Sequence, residues 1–257
     1  MAFDGSARSE RDVNFLHLRF SGLDLDAAID AVAARASLRA PFCYVATPNV
    51  DHVVGLSAEP ARRPLYDAAW LLLNDSRVLA NLAHRAGIVL PAAPGADLAE
   101  RLFDAVIDRH EPITIIGGDD LAIEELRRRY RLTNVRWHRP PMGVKRDPNA
   151  IVRAAAFAAA QPSRFTFICV GAPQQEMIAY AICQLGGATG VGLCVGAALD
   201  FLSGRVERAP RWMRAAGLEW LHRLASEPAR LWRRYLVTGP KVFSLFAAWR
   251  ASMAAAS

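Results

Sequence analysis

Polar side chains that could carry chemistry follow short apolar runs of the chain. Asp75 follows the run Trp70–Leu73, and a carboxylate placed in a cleft can act as a general base. Thr47 and Asn49 flank a proline, so a rigid turn leaves both side chains free to hydrogen-bond. Taken alone, such an aspartate is more often a helix N-cap, because Ser76-Arg-Val-Leu can begin a helix. Turn capping is likewise the alternative for Thr47 and Asn49.

A second group of candidates is rich in glycine and glutamine. Gly117-Gly118 and Gly171 each end a predicted strand, where glycine lets a backbone or a phosphate approach closely. Neither segment is GxGxxG or GxxxxGK[ST], so a tight turn is the alternative to a ligand loop. Gln174 and Gln175 stand at the head of a predicted helix. They could reach sugar hydroxyls or cap that helix.

Other titratable groups leave more alternatives open. Asp200, a short step beyond Gly196, could accept hydrogen bonds from a nucleobase or a ribose, or be a structural carboxylate. Asp119-Asp120 follows a predicted strand and is interpreted as capping the next helix. The four cysteines lack CxxC spacing, which favours small buried hydrophobes in a reducing compartment over a thiol nucleophile or a metal site. They are Cys43, Cys169, Cys183 and Cys194.

Apolar β-prone runs alternate with helical stretches and must position these groups. The strands are predicted at Phe42–Thr47, Trp70–Leu73, Ile113–Ile116, Phe165–Val170 and Val191–Val195, and the helices at Asp24–Ala34, Ala99–Arg109, Leu121–Arg131 and Asn149–Ala160. Near-continuous apolar strands separated by helices predict an α/β fold, with a Rossmann-like parallel sheet covered by helices on both faces. Ligands of such sheets bind outside the carboxyl ends of the strands, where the polar candidates fall.

Cations and tryptophans are concentrated near the end of the chain. Between Arg205 and Arg250, ten Lys or Arg stand against three Glu, about +7, whereas the whole chain carries +6. Two or three helices are predicted there, with Pro210 and Pro228 near helix starts. Clustered cations with aromatic anchors suit phosphate groups, a membrane leaflet or a nucleic acid. The composition therefore predicts a core at 1–203 and a basic helical appendage at 204–257.

The amphipathic end of this appendage, Lys241–Arg250, is typical of an interfacial helix that lies on a membrane. An ordinary helical pair that closes the core is the alternative. No uncharged apolar stretch is long enough to span a bilayer, and the polar start Met1–Asp12 predicts no signal peptide. At 53% hydrophobic and 22% charged residues, the chain can bury a full core.

Taken together, the segments resemble the WecG/TagA/CpsF family of bacterial glycosyltransferases over roughly Phe15 to Tyr235. The motifs that carry the resemblance are Thr47-Pro-Asn49, Asn74-Asp75, Pro94-Gly-Ala-Asp-Leu-Ala-Glu-Arg-Leu102, Ile116-Gly-Gly118, Val170-Gly-Ala-Pro-Gln-Gln-Glu176, Val195-Gly-Ala-Ala-Leu-Asp-Phe-Leu-Ser-Gly204, Arg208-Ala-Pro-Arg-Trp-Met213, Gly217-Leu-Glu-Trp-Leu-His-Arg223 and Glu227-Pro-Ala-Arg-Leu-Trp-Arg233.

The resemblance implies an inverting, metal-independent hexosyltransferase without a cofactor. It would move a sugar from a UDP-sugar to a polyprenyl-diphosphate-linked saccharide in cell-surface or exopolysaccharide biosynthesis. The enzyme would be cytoplasmic, peripheral at the anionic inner face of the bacterial cell membrane, and would bind no nucleic acid. A homo-oligomer is possible, since closed assemblies are common among soluble enzymes.

The resemblance also assigns roles to single residues. Asp75 takes the position of the catalytic base, with Thr47 and Asn49 lining the site. Arg223, Arg230 and Arg233 would stabilise the departing diphosphate or hold the acceptor's pyrophosphate. The substrate-binding set is Asp97, Gly117, Gly118, Gly171, Gln174, Gln175, Gly196 and Asp200.

The chain departs from the family pattern at three points. Ser76 follows Asp75 where many members have glycine. Pro91-Ala-Ala-Pro94 stands before Gly95 where many members have an arginine, so that Arg77 is a candidate substitute. Arg139-Pro-Pro-Met-Gly143 replaces a His-Gly-aromatic segment. Details such as Val50-Asp-His-Val-Val54 are closer to the exopolysaccharide, xanthan-type branch, which favours a hexose donor such as UDP-glucose.

Three rival functions follow from the same residues. A degenerate family member would bind the UDP-sugar without transferring it. A basic membrane- or nucleic-acid-binding module would bind in a salt-sensitive way without turnover. A nicotinamide oxidoreductase is disfavoured, because the glycine fingerprint with its acidic partner is missing.

Overall fold

The structure, a computed structural model, describes residues 12–256. The expectation of a polar start without a signal peptide therefore falls almost wholly outside the described residues. Within them, eight strands form two sheets. The strands are β1 (Asp12–Phe15), β2 (Leu18–Ser21), β3 (Cys43–Ala46), β4 (Leu71–Leu72), β5 (Ile113–Gly117), β6 (Val135–His138), β7 (Phe165–Cys169) and β8 (Val191–Cys194).

The main sheet has six parallel strands in the order β4-β3-β8-β7-β5-β6. Its central strands are buried on both faces, which is why they read as continuous apolar runs in the sequence. Val45 of β3, for example, lies in register with Leu71 on one side and Leu193 on the other. The predicted parallel α/β sheet and its five strands are thereby confirmed.

Helices cover both faces of this sheet. They are α1 (Leu25–Ser37), α2 (Val50–Ala58), α3 (Pro64–Asp67), α4 (Arg77–Arg85), α5 (Gly95–Ala105), α6 (Asp120–Tyr130), α7 (Pro148–Ala159), α8 (Gln174–Leu185), α9 (Ala198–Leu202), α10 (Arg211–Ala215), α11 (Glu219–Ser226), α12 (Pro228–Trp232) and α13 (Lys241–Ala256). One core cluster joins α2, α4, α7, α8 and α13, and the other joins α1, α5, α6 and α9.

Helix α5 begins four residues before the predicted start at Ala99 and also ends earlier, at Ala105. Pro94 stands at its N-cap in extended conformation. Gly95 opens the helix beside Thr47, the residue after β3, and a Cβ at Gly95 would lie 2.7 Å from the Thr47 hydroxyl oxygen. The early start therefore brings the helix N-terminus against the end of β3.

The C-terminal segment forms four helices and a short π-helical turn at Arg233–Thr238. Pro210 is the N-cap of α10 and Pro228 opens α12, as predicted.

In α13, Val242, Phe246 and Trp249 are buried, and the Trp249 ring packs edge-on against Phe15 with centroids 5.2 Å apart. One face of α13 therefore completes the core, while Phe243 on the same helix is exposed. The division into a 1–203 core and a 204–257 appendage stays a prediction.

None of the helices between Asp12 and Ala256 is both long and apolar enough to cross a membrane.

Candidate active site

The polar candidates meet at the carboxyl ends of four neighbouring strands, β4, β3, β8 and β7. Asp75 follows β4, Thr47 and Asn49 follow β3, Gly196 follows β8 and Gly171 follows β7. This is the edge at which open α/β sheets bind ligands.

Asp75 is not a helix cap. Helix α4 begins at Arg77, and its N-cap is Ser76, whose hydroxyl accepts from the Leu79 N–H at 3.2 Å. Asn74 supports the same turn by accepting from the Ser76 N–H at 3.0 Å. The Asp75 N–H donates to the Pro48 carbonyl at 3.0 Å, which ties the β4 turn to the β3 turn. The carboxylate is therefore free for another use.

The electrostatic surroundings of Asp75 raise its pKa to about 6, chiefly because burial removes the carboxylate from water. The Asn49 side-chain amide opposes this shift by donating to the carboxylate at 3.3 Å. Glu219 of α11 raises the pKa, whereas His52 and the Gly95 N–H lower it. No lysine or arginine side chain that the structure describes forms an ion pair with Asp75. A carboxylate that titrates near neutrality without a fixed cation suits a general base.

Asn49 has two partners of opposite kinds. Its carbonyl oxygen caps α2 by accepting from the Asp51 N–H at 3.1 Å, and its amide nitrogen faces Asp75. His52 at the third helical position lies against both the Asn49 N–H and the Asn49 carbonyl oxygen. The turn-capping interpretation of Asn49 is therefore confirmed, and the same side chain also contacts the candidate base.

Thr47 is buried, and its hydroxyl donates to the Cys194 carbonyl of β8 at 3.1 Å. It packs directly against Gly95 at the start of α5. Its observed contacts therefore hold the ends of β3, β8 and α5 together around the site.

Gln175 joins the loops after β7 and β8. Its side-chain oxygen accepts from the Gly196 N–H at 2.8 Å, and its amide donates to buried Glu176 at 2.8 Å. The Gln174 amide, with its nitrogen facing the nearby acceptors, hydrogen-bonds within its own loop to the Ala172 carbonyl at 2.9 Å.

The glycines of this edge fall into two kinds. Gly117 and Gly118 have positive φ, and a Cβ there would lie 2.5 Å from the Cys169 carbonyl oxygen and 2.3 Å from a Leu199 methyl group, respectively. Packing alone requires glycine at both positions. Gly171 also has positive φ, but no neighbour lies within 4 Å of a Cβ built there. The space beside the Gly171 backbone is therefore open to a ligand.

Asp200 lies in α9, beyond the end of β8. Burial raises its pKa, Arg205 and Arg223 lower it, and the nearby carboxylates of Asp119 and Glu227 raise it. Asp119 caps α6 through the Ala122 N–H at 2.9 Å, as predicted, and pairs with Arg205.

Of the three appendage arginines, Arg223 and Arg230 lie near Asp200 at this end of the sheet, whereas Arg233 is placed only against Trp232. The Arg223 guanidinium stands 5.8 Å from the Phe201 ring centre, and Arg233 stands 5.7 Å from the ring of Trp232. Arg230 forms a two-point ion pair with Glu227 one turn earlier, at 2.6 and 2.7 Å. Helix α11 thus runs from Glu219 near Asp75 to Arg223 near Asp200.

Asp97 holds the appendage to the core. Its carboxylate accepts from Arg208 at 2.5 Å and from Arg214 at 3.0 Å. Its predicted role in substrate binding stays a prediction, since its observed partners are these two arginines.

Arg77, the candidate substitute for the missing family arginine, lies beside Gly217 in the turn between α10 and α11.

The cysteines behave as buried or half-buried free thiols. Burial raises the pKa of Cys43 to about 11 and that of Cys169 and Cys183 to about 12, and it raises the pKa of Cys194 well above its ordinary value. Such thiols are poor nucleophiles, in agreement with the interpretation of the cysteines as small buried hydrophobes.

Among residues 12–256, no three His, Cys, Asp or Glu side chains cluster as metal ligands would, and metal independence stays a prediction.

Two buried polar residues beside the site were not singled out from the sequence. His52 is hidden in an apolar helix, and the only available signal is the spacing of a capping box, Asn49 followed by a polar residue three positions later. Glu176 belongs to a quoted motif but received no role. Its complete burial follows from the packing of α8 and has no signal in the sequence.

The chain matches the model of the glycosyl transferase WecG/TagA/CpsF family over residues 13–256. The match spans the parallel sheet and the C-terminal helices alike. The resemblance drawn from the sequence motifs is thereby confirmed.

Proposed function

Because this chain belongs to the WecG/TagA/CpsF family of glycosyltransferases, we propose that it moves a sugar from a UDP-sugar to a polyprenyl-diphosphate-linked saccharide. One observation carries the choice of site. The half-buried carboxylate of Asp75, with its pKa raised to about 6, caps no helix and lies at the carboxyl ends of the strands. At neutral pH it is ionised and still basic enough to take a proton.

The proposed reaction is a single displacement. Asp75 takes the proton of the acceptor hydroxyl while that oxygen attacks the anomeric carbon from the face opposite the diphosphate. The bond between the anomeric carbon and the diphosphate oxygen breaks, UDP leaves with its electron pair, and the anomeric configuration inverts. Asn49, which donates to the Asp75 carboxylate at 3.3 Å, orients the base for this step.

Arg223, Arg230 and Arg233 are the proposed partners of the diphosphate. Guanidinium groups bind phosphate oxygens in pairs and neutralise the charge that develops on the leaving group without a metal ion. Arg223 supports this assignment because it lies half-buried near Asp200 and Phe201, at the end of β8. Arg230 must exchange its present partner, Glu227, for the phosphate.

The donor's nucleotide and sugar are proposed to lie over the β7 and β8 loops. Gly171 leaves its backbone open there, and the half-buried carboxylate of Asp200 could accept from ribose hydroxyls. Gly117, Gly118, Gly196, Gln174 and Gln175 shape or border the same edge. A hexose such as glucose, for exopolysaccharide assembly, is the donor sugar we expect.

A peripheral position on the anionic inner face of the cell membrane is part of this proposal. The C-terminal segment exposes Trp212, Trp232, Leu236 and Phe243 among its arginines, and this combination suits an interface of anionic headgroups and acyl chains. A lipid-linked acceptor would be presented at that surface.

The proposal is tested by incubating the protein with a panel of UDP-sugars and a polyprenyl-diphosphate-linked saccharide in anionic vesicles. We expect a product with inverted anomeric configuration from at least one UDP-hexose, and calorimetric binding of UDP but not of NAD. UDP binding without product from any donor would indicate a degenerate member. Absence of UDP binding with and without vesicles would contradict the proposed donor class.

A further inference from the structure

A chain of polar contacts runs beneath the site from the β4 turn to the β8 turn. It begins at Asp75, passes through Asn49 to His52, and crosses to Glu176, whose carboxylate lies 3.6 Å from the His52 Nε2. From Glu176 it continues through Gln175 to the Gly196 N–H. The two middle members, His52 and Glu176, have no role in the proposed reaction.

Glu176 is fully buried, and its Oε2 has no hydrogen-bond partner among the described residues. A buried carboxylate is costly unless hydrogen bonds or an opposite charge compensate it. The Gln175 amide supplies one bond to Oε1, and the His52 ring is the basic side chain with which Glu176 pairs in the structure. The His52 Nε2, likewise without a hydrogen-bond partner among the described residues, faces this carboxylate at 3.6 Å, which favours the observed orientation of the imidazole.

His52 in turn fixes Asn49. Its Nδ1 lies 3.2 Å from the Asn49 backbone nitrogen and 2.9 Å from the Asn49 side-chain oxygen. The first contact suits an unprotonated Nδ1, and the second suits a protonated Nδ1. In both states the ring lies on the oxygen side of the amide and keeps the NH₂ group directed toward Asp75.

We infer that His52 and Glu176 are positioning residues, which act through Asn49 on Asp75 and through Gln175 on the Gly196 loop. This inference rests on the proposed function for its kinetic consequence but not for the contacts themselves. The pair joins the side of the site that takes the proton to the side proposed to bind the donor. It adds a polar contact between α2 and α8, whose apolar residues belong to the same core cluster.

A purely structural role predicts something different. Glutamine at the third helical position preserves a capping box, so His52→Gln retains a partner for the Asn49 N–H. It has no imidazole ring to face Glu176. If His52 serves only as a cap, this variant should behave like the wild type.

Other ionisable groups lie around Asp75, His52 and Glu176, and they are unchanged in these variants. Glu219 of α11 acts on Asp75, the Tyr66 ring of α3 stands edge-on to His52 at 6.2 Å, and Tyr44 and Cys194 lie in the field of Glu176. Asp51, the neighbour of His52 in α2, forms an ion pair with Arg234 at 2.9 Å. Any change in the titration of Asp75 therefore reports on His52 and Glu176.

The experiment compares His52→Gln and Glu176→Gln with two exposed controls, His84→Gln and Glu124→Gln. Transfer is measured from pH 5 to 8, and the Asp75 carboxyl is titrated by carbon-13 NMR, with Asp75→Asn for its assignment. We expect both test variants to lose about 10²-fold in kcat, because a misplaced reacting group costs that much. Because His52 lowers the pKa of Asp75, its replacement by Gln should move the acidic limb of kcat/KM and the NMR midpoint upward.

Folded test variants with wild-type turnover and an unshifted midpoint would overturn the inference. If Glu176→Gln does not fold, His52→Gln decides, since its helix cap is retained. If the wild type transfers no sugar but the NMR midpoint still moves in His52→Gln, the proposed function fails while the coupling of the pair to Asp75 stands. Unshifted midpoints together with an active wild type would leave the proposed function intact and remove the pair from it.

Discussion

The two sides of the candidate site are built differently. On the carboxylate side, Asn49, His52 and Gln175 are held by partly buried hydrogen bonds to the backbone. On the cation side, Arg223 and Arg233 lie over aromatic rings, and Arg230 is held by a local ion pair whose arginine side chain is 59% exposed. The first side is arranged before substrate arrives, whereas the second keeps guanidinium groups that can exchange their partners.

This difference separates two demands on a transferase. A base must be oriented to within a fraction of an ångström, and buried hydrogen bonds provide that order. A diphosphate carries its own charge and can organise flexible arginines when it binds. Changes on the carboxylate side should therefore act on kcat, and changes on the cation side should also alter donor affinity.

The largest expected effect is that of Asp75→Asn. The amide keeps the shape of the side chain but cannot take a proton, so transfer should fall by at least about 10³-fold. UDP affinity measured by calorimetry should stay within about threefold, because the proposed diphosphate partners are elsewhere. Asp30→Asn, on the exposed face of α1, is the control and should be fully active. Turnover by Asp75→Asn close to the wild-type rate would remove Asp75 as the base.

The next largest effect is expected for Arg223→Ala. Loss of one cation at the leaving group should lower kcat by about 10²-fold and weaken UDP binding, with Arg223→Lys intermediate, since lysine lacks the two-point geometry. Arg153→Ala, on α7, is the matched control, because Arg153 pairs with Asp147 at the N-cap of its own helix. Unchanged UDP affinity and turnover in Arg223→Ala would place the diphosphate elsewhere.

Point substitutions are preferable to deletion of the C-terminal segment. Removing residues 204–257 would uncover the core that Val242, Phe246 and Trp249 cover in α13. Loss of activity in the truncated protein would then report on folding as well as on the arginines.

The raised pKa of Asp75 also has a consequence for stability. The folded state retains the Asp75 proton between its ordinary pKa of 3.8 and about 6, so folding binds a proton in this range. Stability from this group is present below about pH 4 and is lost as the pH rises to about 6. Relative to Asp75→Asn, the wild type should lose about 2 kcal/mol in its free energy of unfolding across this window. Parallel pH curves for the two proteins in urea denaturation would contradict the shift.

A smaller effect is expected for the contact that joins the appendage to the core. Asp97→Asn leaves the half-buried Arg208 and Arg214 without their shared carboxylate. We expect a loss of about 1–2 kcal/mol in the free energy of unfolding. Asp26→Asn, which removes an exposed ion pair with Arg101, should cost less than about 0.5 kcal/mol. Equal losses would show that Asp97 makes only a surface contact.

The smallest effect concerns the proposed membrane surface. Trp212 and Trp232 are 66% and 46% exposed, so replacing either by Ala should weaken sedimentation with anionic vesicles by a few-fold. Leu38→Ala removes an apolar side chain that is 70% exposed outside this segment and should have no effect. Vesicle binding that is insensitive to both tryptophans and to salt would place the membrane contact elsewhere.

The sequence predicted the buried part of the sheet well and its margins poorly. Continuous apolar runs marked five strands, but β6 reads Val-Arg-Trp-His because an edge strand is only half-buried. The β1–β2 hairpin turns through Leu16 and His17, both with positive φ, where no glycine or asparagine signals a turn. There the burial of Leu16 against the core offsets the local conformational cost.

For the site, strand ends and family motifs brought Asp75, Asn49 and Gln175 to the right edge of the sheet. They could not show that Ser76 rather than Asp75 caps α4, because both are good N-cap residues. Nor could they show His52 facing Glu176, since that contact depends on the packing of two helices far apart in the chain.

The proposed reaction depends on Asp75 as a base that is oriented before substrate binds, and the pH dependence of transfer tests this role most directly. Single-turnover transfer is measured from pH 5 to 8 beside the NMR titration of the Asp75 carboxyl. We predict that the rate rises with pH through a midpoint that coincides with the NMR midpoint of Asp75, which we expect at a pKa of about 6. A rate that does not change while Asp75 titrates near 6 would contradict the central claim.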